Sequence, residues 1–335
     1  MAGCGRIRIP DRFDLLAGSP AYPPGAAQGL PPAPARSTKS SFMTSRQAVG
    51  WMIACTLMWS VGGVLSRFFT TTEGFEVTFW RSVFAALTVL VWFAFTGMRK
   101  PLSQLLTGGA TVWASGLMWS VMFTCFMFSL SLTTVANVLI TQSLAPVFTA
   151  LLAWVALRQP VAPRTWVAIA VAAAGICLMY AFDVSALEGR HAWGVLVALG
   201  IPMAGAVNWI LLQRNGTTLD LTSSVLLGAV ISAGLTLPLA WPLGVGLQDL
   251  GLLAVLGVFQ LGIPCILVMR AAARLAAAQT SLLALLEVVF GIFLTWLFGG
   301  ETPGWATIAG GLAVLGALVY NEMGKTAAPS PAVKG

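Results

Sequence analysis

The chain has 335 residues, of which 58% are hydrophobic and only 9% are charged. A soluble surface needs about a quarter of its residues charged, so this composition excludes an ordinary soluble enzyme, a nucleic-acid-binding domain and a disordered regulator. The formal net charge of +7 is first explained by topology, because lysine and arginine collect in the cytoplasmic loops of membrane proteins. The sequence therefore predicts an integral membrane protein.

The N-terminal region, residues 1–46, is rich in Pro, Gly, Ala, Ser and Arg and contains no apolar run long enough for a signal peptide. We expect it to be a disordered tail. Met43 stands just before the first hydrophobic segment and is an alternative start, in which case the preceding residues are a mis-assigned extension; a genuine flexible tail is the other interpretation. Residues 323–335 are expected to form a disordered C-terminal tail.

Ten apolar segments follow, each about 20 residues long, which is the length that a helix needs to cross a bilayer. Alternation with a period of two, which marks the strands of a membrane barrel, is absent. The expected fold class is therefore an all-α integral membrane protein with ten transmembrane helices. The segments are residues 48–66, 76–97, 110–131, 133–156, 163–182, 192–213, 220–241, 249–270, 277–298 and 303–321.

The positive charges predict the orientation of these segments. If the N-terminus is cytoplasmic, fifteen of the lysines and arginines fall in inside loops and tails, whereas only Arg67 and Arg190 fall outside and Arg81 lies within the second segment. Such an asymmetry is the usual determinant of orientation. Both termini are therefore expected to be cytoplasmic, with the chain in the cell (inner) membrane.

The sequence also contains an internal repeat. Identical residues recur at an offset of 142 positions, as in Trp51 and Trp193, Phe148 and Phe290, and Trp154 and Trp296. This register indicates two units of five segments, residues 47–182 and 190–322. Because five is odd, the second unit enters the membrane from the opposite side, so the units are inverted repeats. Inverted repeats allow a carrier two pseudo-equivalent conformations, each open to one side of the membrane.

Several stretches together resemble the EamA-type transporters of the drug/metabolite transporter superfamily. They include "WMIACTLMWSVGGVLSRFF" in the first segment and "TFWRSVFAALTVLVWF" in the second. The resemblance spans about residues 48–321 and implies a transporter of amino acids, their metabolites, drugs or other solutes. Similar proteins often have Glu-Pro in the ninth segment, where this chain has Glu287 and Val288, so no proline kink is predicted there.

The expected function is a secondary transporter that exports small amphipathic metabolites, such as amino acids or their derivatives, by alternating access. The alternatives are a carrier of drugs or other metabolites with the same fold and a membrane-embedded lipid-modifying enzyme. Gly324, Lys325 and Thr326 lack the first glycine of a phosphate loop, and the single histidine, His191, has no companion ligands in ordered spacing. We therefore expect no catalytic residue, metal, cofactor or nucleic-acid partner; the expected partners are a small solute and the bilayer.

Glu287 is the candidate for proton coupling, because it is the only carboxylate far from both ends of a segment. An ionisable group at such a depth is costly and is by default a functional candidate. The alternative is a permanently neutral carboxyl group that hydrogen-bonds a neighbouring helix. Gln279, eight residues earlier, is expected on the same helical face and thus in the same cavity.

A second group of residues has structural or gating roles. Arg81 either contributes to gating or structure, as the family resemblance suggests, or reaches the membrane surface and pairs with Glu73 or Glu76. Glycines permit close helix approach and prolines free backbone carbonyls; those selected are Gly63, Gly205, Pro146, Pro202 and Pro264.

Uncharged polar and aromatic side chains near mid-depth are expected to line the cavity, a lining that suits an amphipathic solute better than a phosphate or a metal ion. For each of them helix packing is the alternative role. The candidates are Trp59, Ser60, Trp119, Phe126, Asn137, Thr141, Gln142, Asn208, Trp209, Gln260 and Gln279.

Overall fold

The computed structural model describes residues 44–65, 68, 74–96, 100–133, 135–179, 189–215, 220–299 and 304–326. These residues form helices and contain no β-strand. In chain order the helices are α1 (Ser45–Leu65), α2 (Gly74–Phe95), α3 (Lys100–Thr107), α4 (Gly109–Leu132), α5 (Val135–Gln142), α6 (Ala145–Leu157), α7 (Pro163–Met179), α8 (Arg190–Ala198), α9 (Gly200–Asn215), α10 (Thr222–Ala240), α11 (Leu247–Val255), a π-helical segment (Leu256–Gly262), α12 (Ile263–Ala272), α13 (Ala277–Ala284), α14 (Leu286–Gly299) and α15 (Trp305–Thr326).

Helix α1 begins with a capping box. The backbone N–H of Thr44 donates to Oε1 of Gln47 at 2.8 Å, and the backbone N–H of Gln47 donates to Oγ1 of Thr44 at 3.3 Å. This reciprocal pair satisfies groups that the first turn of a helix leaves unpaired. The predicted N-terminal tail up to residue 43 lies outside the described residues. The predicted C-terminal tail overlaps α15, which continues to Thr326.

Seven helical stretches of the described chain are long and apolar enough to cross a membrane. They are Gly74–Phe95, Gly109–Leu132, Asn137–Leu157, Ala192–Asn215, Thr222–Ala240, Leu247–Ala272 and Ala277–Phe298. Two shorter apolar helices, Pro163–Leu178 and Trp305–Asn321, coincide with the predicted fifth and tenth segments, and α1 coincides with the first. Large apolar side chains such as Leu90, Leu235 and Leu312 are exposed, as expected for a surface that faces lipid. The chain is a multi-pass membrane protein.

Two of the apolar stretches are each split into two helices at matching positions. The stretch that contains α5 and α6 is interrupted at Ser143 and Leu144, just before Pro146, and the one that contains α13 and α14 is interrupted at Leu285. The second interruption has no proline. Instead, the backbone N–H of Leu285 donates to the carbonyl of Leu282 and the N–H of Val288 to that of Leu285, at 3.2 and 3.1 Å. These hydrogen bonds between residues three apart tighten the helix locally. The helix is therefore interrupted here, although the sequence predicts no proline kink.

Glycines bring α4 and α10 into close contact. A Cβ atom on Gly116 would lie 2.6 Å from Cδ2 of Leu227, and one on Gly228 would lie 2.4 Å from Cβ of Trp119. Neither distance is sterically possible, so both positions need glycine for this packing. The contact holds the backbone of Trp119 against α10 and thereby sets the position of its indole ring.

Hydroxyl groups join the same helices in the apolar interior. Ser232 on α10 pairs with Ser82 on α2 at 3.3 Å and with Thr124 on α4 at 3.1 Å. Ser115 on α4 donates to Oδ1 of Asn208 on α9 at 2.7 Å and lies 2.8 Å from Oγ of Ser224 on α10. Because a buried polar group is costly unless it is paired, these bonds favour one arrangement of α2, α4, α9 and α10.

We expect Gly228→Ala to destabilise the fold. The new methyl group would overlap Trp119, and overpacking of this kind costs about 1–3 kcal/mol. Gly234→Ala is the matched control, because Gly234 lies in the same helix and a Cβ there meets nothing within 4 Å; its higher helix propensity should leave stability unchanged or raised. The measurement is reversible unfolding of the purified proteins in micelles. Equal stability of the two variants would contradict the close α4–α10 packing.

Candidate functional site

A cavity lies between the helices, with an empty volume of about 760 Å³ that includes its open mouth. Its lining comes from α1, α2, α4, α9, α12, α13, α14, the α5–α6 region and the π-helical segment. Both predicted repeats thus contribute side chains.

Many of the residues selected from the sequence line this cavity. The members of the polar and aromatic set that line the cavity are Trp59, Trp119, Phe126, Trp209, Gln142 and Gln260. Pro202 and Gly205 from the structural set also line it, together with Arg81 and Glu287. The structure therefore brings the two charged candidates and all four aromatic candidates to one place.

Other candidates lie off the lining although they are at similar depth. Asn208 precedes Trp209, but neighbouring residues of a helix point about 100° apart, and Asn208 instead accepts the hydrogen bond of Ser115. Ser60 and Thr141 donate to carbonyls of their own helices, Leu57 and Asn137. Pro146 and Pro264 are buried outside the lining. Depth along a segment therefore does not identify the cavity-facing side.

Two further candidates also lie elsewhere. Asn137 donates from Nδ2 to Oγ1 of Thr133 at 2.8 Å and is buried. Gln279 is buried on α13, whereas Glu287 lines the cavity from α14. The interruption at Leu285 separates these two, so their eight-residue spacing does not place them on one continuous helical face. Gly63 is part of α1, and its surroundings lie outside the described residues.

Arg81 and Glu287 are the charged groups of the lining. Arg81 is only 5% exposed, so its side chain is packed inside the protein and does not extend outwards to the surface. Glu76, one of its expected partners, instead accepts the backbone N–H groups of Gly244 and Val245 at 2.9 Å each, and Glu73 lies outside the described residues. Arg81 and Glu287 attract each other electrostatically without a direct ion pair in the part of the chain that the structure describes.

Two glutamines are held in defined orientations beside these charges. Nε2 of Gln260 donates to the backbone carbonyl of Trp59 at 3.2 Å, and Gly62 packs against the same side chain. The amide of Gln142 interacts with the carboxyl group of Glu287. Gln260 belongs to the π-helical segment, and such segments often occur at functional sites.

The remaining wall is aromatic and apolar. The rings of Trp119 and Phe123 lie 5.4 Å apart, and those of Trp119 and Trp209 meet edge to face at 6.2 Å. Met122 and Phe123 were not selected from the sequence, although their spacing from Trp119 and Phe126 follows one helical face. That periodicity was the signal that could have identified them. Among the described residues no three His, Cys, Asp or Glu side chains are grouped to hold a metal ion.

Comparison with known proteins identifies the family of this chain as one of transporters. The model of the EamA-like transporter family matches residues 46–181 and again residues 192–321. The chain is 24% identical to human solute carrier family 35 member G1 over 278 residues, which is 78% of this chain and 75% of that protein. It is 23% identical over 291 residues to an S-adenosylmethionine uptake transporter of Rickettsia bellii (strain RML369-C), covering 82% of this chain and 94% of that one.

A solved crystal structure has the same fold. It superposes with a TM-score of 0.71 at 15% identity and covers 85% of this chain and 99% of its own. The family match extends over most of the sequence, and the transporter-named relatives point to a carrier rather than an enzyme. The chain belongs to the EamA-like transporter family, within the drug/metabolite transporter superfamily.

Proposed function

We propose that this protein is a secondary transporter of the inner membrane that exports small amphipathic metabolites, such as amino acids or their derivatives, by alternating access. The observation that carries the proposal is the cavity itself, whose described lining combines an aromatic wall with the buried Arg81 and the partly buried carboxyl group of Glu287. Charged groups are expensive within a membrane and are retained there for function. A solute with charged and apolar parts suits such a lining best.

Alternating access is supported by the pattern of helix contacts. At the repeat offset, α2 corresponds to α10, α7 to α15, α1 to α9, α6 to α14 and α4 to the π-helical segment. If each helix is exchanged with its counterpart, the α2–α10 and α7–α15 contacts map onto themselves. The α4–α10 contact maps onto that of α2 with the π-helical segment, and the α1–α14 contact maps onto α6–α9. The interruptions at Ser143 and Leu285 also differ by the repeat offset of 142. We therefore propose ten spans in two inverted five-helix units, which can interchange roles between inward-open and outward-open states.

The proposed topology places both termini in the cytoplasm, because the positive charges collect on that side. A reporter fused after Lys325 should therefore give a cytoplasmic signal in a bacterial host. A reporter inserted between α7 and α8, just before Arg190, should give the opposite signal and is the internal control. A periplasmic signal after Lys325 would contradict an even number of spans and, with it, the inverted arrangement.

We further propose that Glu287 couples transport to protons. It is a carboxyl group on the cavity wall that interacts with the amide of Gln142 and with the guanidinium of Arg81. A group in this position can exchange a proton with either side of the membrane when the cavity opens to that side. The transmembrane pH difference then becomes a source of free energy for the solute.

The test is counter-flow in proteoliposomes that contain the purified protein. Vesicles loaded with one unlabelled solute should take up the same labelled solute transiently, which empty vesicles should not do. The panel contains the twenty amino acids, amino-acid derivatives including S-adenosylmethionine, and cationic drugs. S-adenosylmethionine is included because a relative is named for its uptake. Exchange of drugs alone would favour the alternative drug carrier, and no exchange of any solute would contradict the transport proposal.

A further inference from the structure

The cavity wall carries polar atoms that are buried without hydrogen-bond partners. Among the described residues nine buried side-chain nitrogen or oxygen atoms are unpartnered. Four of these belong to residues of the cavity wall: Nε of Arg81, Nε1 of Trp119, Oε1 of Gln142 and Oε1 of Gln260. A buried polar atom without a partner carries a free-energy penalty. Their concentration around one cavity indicates that a ligand supplies the missing partners.

The four atoms divide into two donors and two acceptors. The guanidinium Nε–H of Arg81 and the indole N–H of Trp119 are donors, since neither group has an acceptor lone pair. The amide oxygens of Gln142 and Gln260 are acceptors. The orientation of Gln260 follows from its N–H, which donates to the backbone carbonyl of Trp59. The amide of Gln142 interacts with the carboxyl group of Glu287, which favours its nitrogen on that side. A ligand that satisfies all four must itself offer both hydrogen-bond acceptors and hydrogen-bond donors.

Arg81 and Trp119 are held rigidly. Trp119 is 1% exposed, and Gly228 of α10 packs directly against it, since a Cβ on Gly228 would lie 2.4 Å from Cβ of Trp119. Arg81 is 5% exposed, and a Cβ on Gly257 would lie 2.8 Å from the backbone carbonyl of Arg81, so the π-helical segment packs directly on its backbone. Side chains positioned by such packing lose little freedom when a ligand binds, which favours affinity and selectivity.

We propose that Arg81 and Trp119 form a carboxylate subsite in the wall of the cavity. The planar guanidinium is suited to a carboxylate, and the indole N–H adds a second donor from another helix. Glu287 attracts Arg81 without a direct ion pair, which leaves the guanidinium able to bind an anionic group. The amide oxygens of Gln142 and Gln260 take the N–H groups of the same solute. This inference rests on the proposed transport function. It specifies which residues of the cavity bind the carboxylate of the solute and which bind its N–H groups.

The first test compares each amino acid of the panel with its own carboxamide on the unaltered protein. The two compounds share their size and their amino group, and only the carboxylate is replaced. For every amino acid that exchanges, its carboxamide should inhibit counter-flow at least about 10-fold more weakly, because a charge-assisted hydrogen bond is lost. Equal inhibition by acid and amide would overturn the proposal, as would exchange restricted to amines that lack a carboxylate.

The second test uses substitutions on the cavity wall. Arg81→Gln should reduce the acid-to-amide preference to within about 2-fold, and Trp119→Phe should reduce it in part while keeping the ring. The matched controls are Trp80→Phe, which removes an unpartnered buried indole N–H outside the cavity lining, and Arg270→Gln, which removes an exposed guanidinium stacked on Trp92. Both controls should keep the parental preference. If Arg81→Gln also keeps it, the subsite assignment is wrong.

These outcomes separate the subsite from the proposed function. If every solute that the protein exchanges lacks a carboxylate, transport stands and the carboxylate subsite falls. If no member of the panel exchanges, both proposals fail. If Arg81→Gln does not fold, the acid-to-amide comparison on the unaltered protein and the Trp119→Phe variant still decide the question.

Discussion

Glu287→Gln should exchange solute across the membrane but should no longer accumulate it when a pH difference is imposed. Glutamine keeps the volume of the side chain and can still bond Gln142, but it does not titrate. At one proton per solute, a difference of about two pH units supports an accumulation of about 100-fold in the unaltered protein. In the variant, the internal and external concentrations should become equal.

The measurement is uptake of the labelled solute into proteoliposomes, with the membrane potential held at zero and with both signs of the pH difference. Counter-flow at equal pH shows whether the variant still binds and moves the solute. Glu76→Gln is the matched control, because Glu76 lies outside the cavity lining and accepts the backbone N–H groups of Gly244 and Val245. Parental accumulation by Glu287→Gln would show that Glu287 is structural and that the carrier is uncoupled or coupled elsewhere.

Gly205→Leu should abolish exchange while the protein remains folded. A Cβ atom on Gly205 meets only ordinary contacts, with Nε1 of Trp209 at 3.7 Å and Cε of Met122 at 3.8 Å. Alanine should therefore be tolerated, whereas the longer leucine side chain must enter the cavity that Gly205 lines. An overlap that costs about 3 kcal/mol lowers the affinity for the solute about 100-fold.

The measurement is the initial rate of counter-flow, normalised to the amount of folded protein in the vesicles. Gly234→Leu is the matched control, since Gly234 is exposed on α10 and a Cβ there has no atom within 4 Å. It should transport at the parental rate. If Gly205→Leu transports as fast as this control, the solute passes through another part of the molecule.

The membrane class and most helix positions could be predicted from the sequence, because both depend on local properties. Apolar runs of about 20 residues define helices in a bilayer, where every backbone group must be paired within its own helix. The start of α1 at Ser45 is also local, because Thr44 and Gln47 form the capping box by themselves. The 142-residue offset could likewise be found by aligning the sequence with itself. Glu287 could be selected because carboxylates are rare within apolar segments.

The composition of the cavity wall was decided by the tertiary structure. Asn208 and Trp209 are adjacent and equally deep, but only Trp209 lines the cavity, since the rotation of α9 is set by its packing against α4 and α6. The sequence allowed Arg81 to reach the membrane surface. In the structure it lies on the cavity wall instead, because the π-helical segment packs against α2 at Gly257. Gln279 and Glu287 are separated by an interruption at Leu285 that no proline marks. Such facts depend on contacts between residues far apart in the chain, which the periodicity of a single helix cannot encode.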